Sequence, residues 1–168
     1  MIAPQFEAAF DFSDGIARVV TNGRKGYIDK TGKRVTEATY DDAKDFHEGL
    51  AQVKIGDRWG YIDTTGKIAI PAEFTLAGRF SEGLAAARRT GKLGGYIDRT
   101  GTMVISEQFG LAWPFSDGLA RVKIGDGSGL FDNWGYIDKS GKVVISRTLK
   151  AGWPFSEGLA LIGNGGPI

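Results

Sequence analysis

The amino-acid sequence predicts an all-β repeat protein, an open solenoid-like array of about four and a half three-stranded meander units of about 34 residues. Three observations carry that expectation. A phrase of the form Phe-(Ser/His)-(Asp/Glu)-Gly-(Leu/Ile)-Ala begins at Phe12, Phe46, Phe80, Phe115 and Phe155. A second phrase, Gly-Tyr-Ile-Asp, begins at Gly26, Gly60, Gly95 and Gly135, in steps of 34, 35 and 40 residues. Around both phrases, apolar and polar residues alternate with the period of a strand rather than spiralling with the period of a helix.

Each repeat opens on a turn. Ser13, Ser81, Ser116 and Ser156 are each followed by an acid and a glycine, which predicts serine hydroxyls capping local backbone donors ahead of the first strand. His47 holds the same slot in the second copy and is expected to serve as a turn residue. The first strand follows. In "LAQVKI", Ala51, Val53 and Ile55 share one face while Leu50, Gln52 and Lys54 share the other, and "LARVKI" at Leu119–Ile124 repeats the pattern. In the second strand, "RWGYID", Trp59 and Tyr61 share a face opposite Gly60 and Ile62. The small residues Ala51 and Gly60 predict another backbone or an aromatic ring close by.

A hairpin of the form Asp-x-(Thr/Ser)-Gly then leads into the third strand. It spans Asp29 to Gly32, Asp63 to Gly66, Asp98 to Gly101 and Asp138 to Gly141. The aspartate suits the opening of a type I turn and the glycine supplies the positive φ that closes a bulged hairpin. Two catalytic readings fail on spacing. An aspartic-protease loop has no residue between Asp and Thr-Gly, yet Thr64 intervenes in Asp63-Thr64-Thr65-Gly66. A phosphate-binding P-loop needs four residues between its glycines and Ser or Thr after the lysine, whereas five separate Gly60 from Gly66 and Ile68 follows Lys67. The third strand is the short β-branched run "KIAIP" or "KVVIS", and an apolar landmark stands six residues before each phenylalanine, at Phe6, Tyr40, Phe74, Phe109 and Leu149.

These landmarks divide the chain into a partial unit at 1–11, full units at 12–45, 46–79, 80–114 and 115–154, and a partial unit at 155–168. Third-strand material around Ile2–Phe6 begins the chain and first-strand material at Leu159–Ile162 ends it. No second strand remains to sit between them in one blade, so an open array is expected and a closed propeller-like ring is the runner-up. An open array leaves a strand edge at "LALIGNGGPI", where self-association or pairing with another chain is expected.

Composition narrows the function classes. The chain has 168 residues, the length of one domain, with 21 basic and 20 acidic side chains. No net field draws it to nucleic acid or an anionic membrane. No apolar run is long enough for membrane insertion, and "MIAPQFEAAF" lacks the pattern of a secretory signal, so the cytoplasm is the default expectation. The absence of cysteine and the single histidine exclude thiolate chemistry, disulfides and a His-based triad. No cofactor or metal is expected. The 26 glycines exceed the usual level of roughly 7%, as many tight turns require.

The phrases "FSEGLA", "DRWGYIDTTGK", "DNWGYIDKSGK" and "IPAEF" resemble the bacterial WG repeats, also called KWG repeats, over residues 2 to 162 or so. The Trp-Gly pair stands at Trp59-Gly60 and Trp134-Gly135, with Lys25 and Gly94 in place of the indole elsewhere. The resemblance implies a β-rich repeat module and carries no catalytic motif.

Function is therefore sought where the copies differ. The fourth repeat is 40 residues long because its first hairpin expands to "IGDGSGLFDNWG". Its tip presents Leu130 and Phe131, expected as interface anchors; alternatively both fold back over the array's end. Trp-Pro occurs at Trp113-Pro114 and Trp153-Pro154, where other copies read Phe10-Asp11, Lys44-Asp45 and Gly78-Arg79. Those tryptophans are either core between the last two repeats or a stacking platform. Arg88, Arg89 and Lys92 form a basic cluster, read as a solvated hairpin end, with phosphate or acidic-protein binding as the lesser alternative. The expected function is a non-enzymatic scaffold for a protein partner; the alternative is a carbohydrate or cell-envelope ligand module.

Overall fold

A computed structural model describes residues 6–125 and 134–147. The chain forms two compact units, Met1–Arg79 and Phe80–Ile168, and every regular element among the described residues is a strand. In the first unit, β1 (Ala8–Ser13), β2 (Ile16–Thr21), β3 (Arg24–Asp29) and β4 (Arg34–Tyr40) make one antiparallel sheet in chain order. A second sheet holds β5 (Asp42–Ala43), β6 (Leu50–Ile55), β7 (Arg58–Asp63) and β8 (Ile68–Phe74), again in chain order. The two-residue strand β9 (Leu76–Ala77) lies near the end of the unit. The second unit runs β10 (Ala85–Arg88), β11 (Gly94–Ile97), β12 (Met103–Ala112), β13 (Leu119–Ile124), β14 (Trp134–Asp138) and β15 (Val143–Arg147), each antiparallel to the next. None of the described sheets closes into a barrel, in keeping with an open array.

Each repeat supplies the expected meander, and the sheets gain a further strand from the residues just before each phenylalanine phrase. Ala8–Ser13 pairs with β2 and Asp42–Ala43 pairs with β6. In the second unit the far end of β12 pairs with β13 through Leu111–Lys123 and Ala112–Val122. The phenylalanine phrase is therefore a hairpin tip between two strands. Its acid and glycine both take positive φ, 51° and 82° at Asp14-Gly15 and 52° and 76° at Asp117-Gly118, the type I′ geometry that matches strand twist. His47 fits this turn, exchanging backbone hydrogen bonds with Leu50.

The serines in these tips reach further than local capping. Ser13 Oγ donates to the carbonyl of Phe46 and Ser81 Oγ donates to that of Phe115 at 2.7 Å. The neighbouring acid acts over the same span: Gly49 N donates to Asp14 Oδ2 at 2.7 Å, and Gly118 N donates to Glu82 Oε2 at 3.1 Å. Period-two reasoning looks only along one strand, so bonds one repeat apart are invisible to it.

Simple alternation also gives way at the second strand. Gly60, Tyr61 and Ile62 are buried in succession, as are Gly26–Ile28 and Gly135–Ile137, because both faces are covered. On one side of the first sheet Ala17, Val19 and Ile28 cluster, with Phe6 packed against them. On the other, Ile16, Tyr27 and Tyr40 join Phe46, Ala51, Val53 and Ile62 of the next repeat. Tyr27 meets Phe46 edge to face at 5.1 Å, and Tyr96 meets Phe115 in the same way at 4.9 Å. The tyrosine hydroxyls are satisfied: Tyr27, Tyr61 and Tyr96 donate to the carbonyls of Lys44, Gly78 and Trp113 at 2.6, 2.7 and 2.7 Å. Fully buried hydroxyls without such acceptors would each cost about 1–3 kcal/mol.

Gly60 is required by its neighbour strand. Trp59 pairs with Phe74 and Tyr61 with Ile70, so two steps along β7 face four along β8, and the surplus chain closes over the glycine. A Cβ at Gly60 would lie 2.6 Å from the Ile70 oxygen, and one at Gly95 would lie 2.4 Å from the Ile105 oxygen.

A candidate binding site at Trp113, Arg121 and Trp134

The second unit brings two indoles and a guanidinium together. Trp113 follows β12 and is tied to β13, its N–H donating to the Arg121 carbonyl at 3.1 Å. Across the β13–β14 ladder Arg121 faces Tyr136 and Lys123 faces Trp134. Arg121 and Trp134 are therefore diagonal neighbours on one sheet face, within reach of long side chains. The Arg121 guanidinium carbon lies 4.1 Å from the Trp113 ring centroid and 5.1 Å from that of Trp134. The rings themselves are 5.2 Å apart and tilted by 57°. The cation thus sits against both rings at cation–π distance, and all three side chains are half-buried.

Electrostatics mark the site as unusual. Burial holds the Arg121 guanidinium below its ordinary pKa, offset in part by Tyr136, whose phenol is itself pushed up by burial. Arg121 Nε is buried without a hydrogen-bond partner among the described residues. The same slot holds other residues in other repeats. Arg18 stacks on Phe10 at 3.7 Å and donates from Nε to Asp45 Oδ1 at 3.0 Å. Gln52 and Ala86 take the position in the second and third full repeats, and both are buried.

Of the residues singled out from sequence, Trp113 belongs to this cluster, packed on Trp134. Leu130, Phe131 and Trp153 lie outside the described residues. The basic trio sits around the hairpin between β10 and β11, where Arg89 pairs with Glu107 at 3.6 Å. The four Asp-x-(Thr/Ser)-Gly aspartates are engaged within their own turns. Asp63 Oδ1 accepts from Thr65 N at 2.8 Å, Thr65 Oγ1 at 2.6 Å and Lys67 N at 3.1 Å, and Asp29, Asp98 and Asp138 repeat the set. Gly32, Gly66, Gly101 and Gly141 have φ of 83–86°. Neither Arg121 nor Trp134 is conspicuous by itself; the signal in the sequence is their combination with Trp113, since the equivalent positions read Phe10, Arg18 and Lys25, then Lys44, Gln52 and Trp59, then Gly78, Ala86 and Gly94.

A family model described as WG containing repeat matches residues 1–24, 26–59, 59–92, 95–127 and 134–166. The chain belongs to the WG repeat family. No curated protein matches it. Among solved structures, this WG-repeat chain is similar in fold to the computationally designed Ika8 protein. The TM-score is 0.52 at 12% identity, over 82% of this chain and 48% of that one. It thus spans about half of the designed chain, and at that identity the likeness concerns fold alone.

Proposed function

We propose that this WG-repeat chain is a non-enzymatic scaffold that binds a protein partner on the face carrying Trp113, Arg121 and Trp134. One observation carries the reading: a half-exposed Trp–Arg–Trp cluster built on a sheet face in one repeat and not in the other described ones. Tryptophan and arginine are the residues that most often dominate binding energy at protein interfaces. The long insertion with Leu130 and Phe131 also emerges between β13 and β14, the strands that carry Arg121 and Trp134. Insertions in repeat proteins fall on loops of a single, often binding, face.

A carbohydrate ligand is the second reading, favoured by the two neighbouring indoles. Their 57° tilt gives no flat two-ring platform, and the guanidinium already covers a face of each. The test uses the intact chain as bait, compared with W113A/W134A and L130A/F131A, each checked for folding by circular dichroism. Proteins retained by the wild type and released by both variants support the scaffold. Equal capture by all three chains, or glycan-array binding lost in W113A/W134A, overturns it.

A further inference from the structure

We infer that Arg121 is an anion-recognition residue whose guanidinium receives a carboxylate from an acidic segment of the partner protein. This rests on the scaffold reading and names the chemistry of its partner. The chain contains its own template for such a pair. Arg18 and Arg121 hold equivalent places, facing Tyr27 and Tyr136 on the adjacent strand. Each lies against an aromatic ring from the preceding segment, Phe10 at 3.7 Å and Trp113 at 4.1 Å.

The difference lies in the acceptor. Arg18 is paired with Asp45, the residue just before Phe46, at 3.0 Å. The equivalent residue after Arg121 is Pro154, just before Phe155, and proline carries no carboxylate. Among the described residues no ion pair reaches Arg121 and no acceptor meets its Nε. A guanidinium remains charged at neutral pH, and a buried donor without a partner costs free energy that an incoming carboxylate recovers. Planar donors match carboxylates in a fork geometry, and the indoles hold the fork in place. Carboxylate is favoured over phosphate because Asp45 is the internal model, and because 21 basic against 20 acidic side chains provide no field for a polyanion.

The test is an NMR titration of the intact ¹⁵N-labelled chain, reading the indole N–H signals of Trp59, Trp113, Trp134 and Trp153. Probes are a capped tetraglutamate peptide, its tetraglutamine counterpart and inorganic phosphate. Tetraglutamate is expected to shift Trp113 and Trp134 saturably while leaving Trp59 in place, with binding at least about ten-fold weaker for tetraglutamine and for R121Q. R121K, which keeps the charge and loses the fork, is expected to fall between and serves if R121Q misfolds. An absent or unsaturable shift, an equal response to tetraglutamine, undiminished binding by both variants, or tighter binding of phosphate overturns the inference. The parent reading fails separately: a wild-type bait that captures no protein removes the scaffold, whereas unchanged capture by R121Q removes only the carboxylate site.

Discussion

Gly95 and Gly15 show two different reasons for a glycine, and they predict opposite tolerances. A Cβ at Gly95 would collide with the Ile105 oxygen at 2.4 Å, whereas nothing lies within 4 Å of a Cβ at Gly15, which needs only its positive φ of 82°. Gly95→Ala should therefore cost about 1–3 kcal/mol by forcing β11 and β12 apart. Gly15→Asn should cost less than about 1 kcal/mol, since asparagine tolerates the left-handed region. Urea denaturation decides it, and equal losses would show that clearance is not what the second-strand glycines provide. The turn aspartates give a pH prediction. The carboxyls of Asp29, Asp63, Asp98 and Asp138 are held below their ordinary value of 3.8, chiefly by the hydroxyl of Thr31, Thr65, Thr100 or Ser140; desolvation opposes the shift, and hydrogen bonds from backbone N–H groups add to it. Their folded-state pKa lies below the unfolded one, so their contribution is complete above about pH 4 and disappears as pH falls through the folded value. The urea midpoint should drop on acidification below about pH 4, and D63N/D98N should flatten part of that drop. An acid slope as steep as the wild type's would place the effect elsewhere. The same residue scale explains what was legible of the site. Trp113 stood out because it forms an odd dipeptide; Arg121 did not, because arginine inside "LARVKI" reads as an ordinary solvent-facing strand residue.

At the scale of elements, the hairpins were visible because turn chemistry is local. Asp-x-(Thr/Ser)-Gly declares its own geometry, whereas the wide bulge opposite Gly60 does not. Its two surplus residues recur in the first three repeats, at Tyr40–Thr36, Phe74–Ile70 and Phe109–Ile105, so they vanish into the repeat length. The fourth repeat pairs Trp134, Gly135 and Tyr136 one for one with Arg147, Ser146 and Ile145, a difference that no single strand reveals. The buried tyrosines tie these elements together and make a testable unit. Tyr96→Phe removes the bond from its hydroxyl to the Trp113 carbonyl and leaves that carbonyl short of a donor, for a loss of about 1 kcal/mol. Burial also pushes the Tyr27, Tyr61 and Tyr96 phenols well above their ordinary value of 10.0. With folded pKa values raised, their contribution is complete below about pH 10 and is lost as pH rises above it, when the unfolded chain ionises and the folded one resists. Alkaline titration of the urea midpoint should show a loss beginning near pH 10 that is smaller in Y27F/Y61F/Y96F; an identical loss would assign it to other groups.

On the scale of the whole molecule, stability should be shared locally rather than held in one core. The cluster around Phe46 draws its residues from the first unit alone, and the cluster around Phe115 draws its own from the second. Hydrogen bonds of the Ser13–Phe46 and Glu82–Gly118 kind link positions about one repeat apart. In such an array stability approximates a sum over repeats and their nearest neighbours. Phe46→Ala empties a fully buried site between Tyr27 and the strands of the next repeat, a change that typically costs about 3–5 kcal/mol. The loss should not spread evenly. Amide hydrogen exchange should accelerate by orders of magnitude in β2, β3, β6 and β7, and far less in β11–β14; Phe115→Ala should reverse the pattern. Local opening of this kind is how repeat arrays accommodate damage, because each cluster can fail before the chain unfolds globally. Uniform acceleration across both units would mean that they unfold as one cooperative body. In that case the Trp113–Arg121–Trp134 face would depend on the integrity of repeats outside its own unit, and Phe46→Ala would also broaden or shift the indole N–H signals of Trp113 and Trp134.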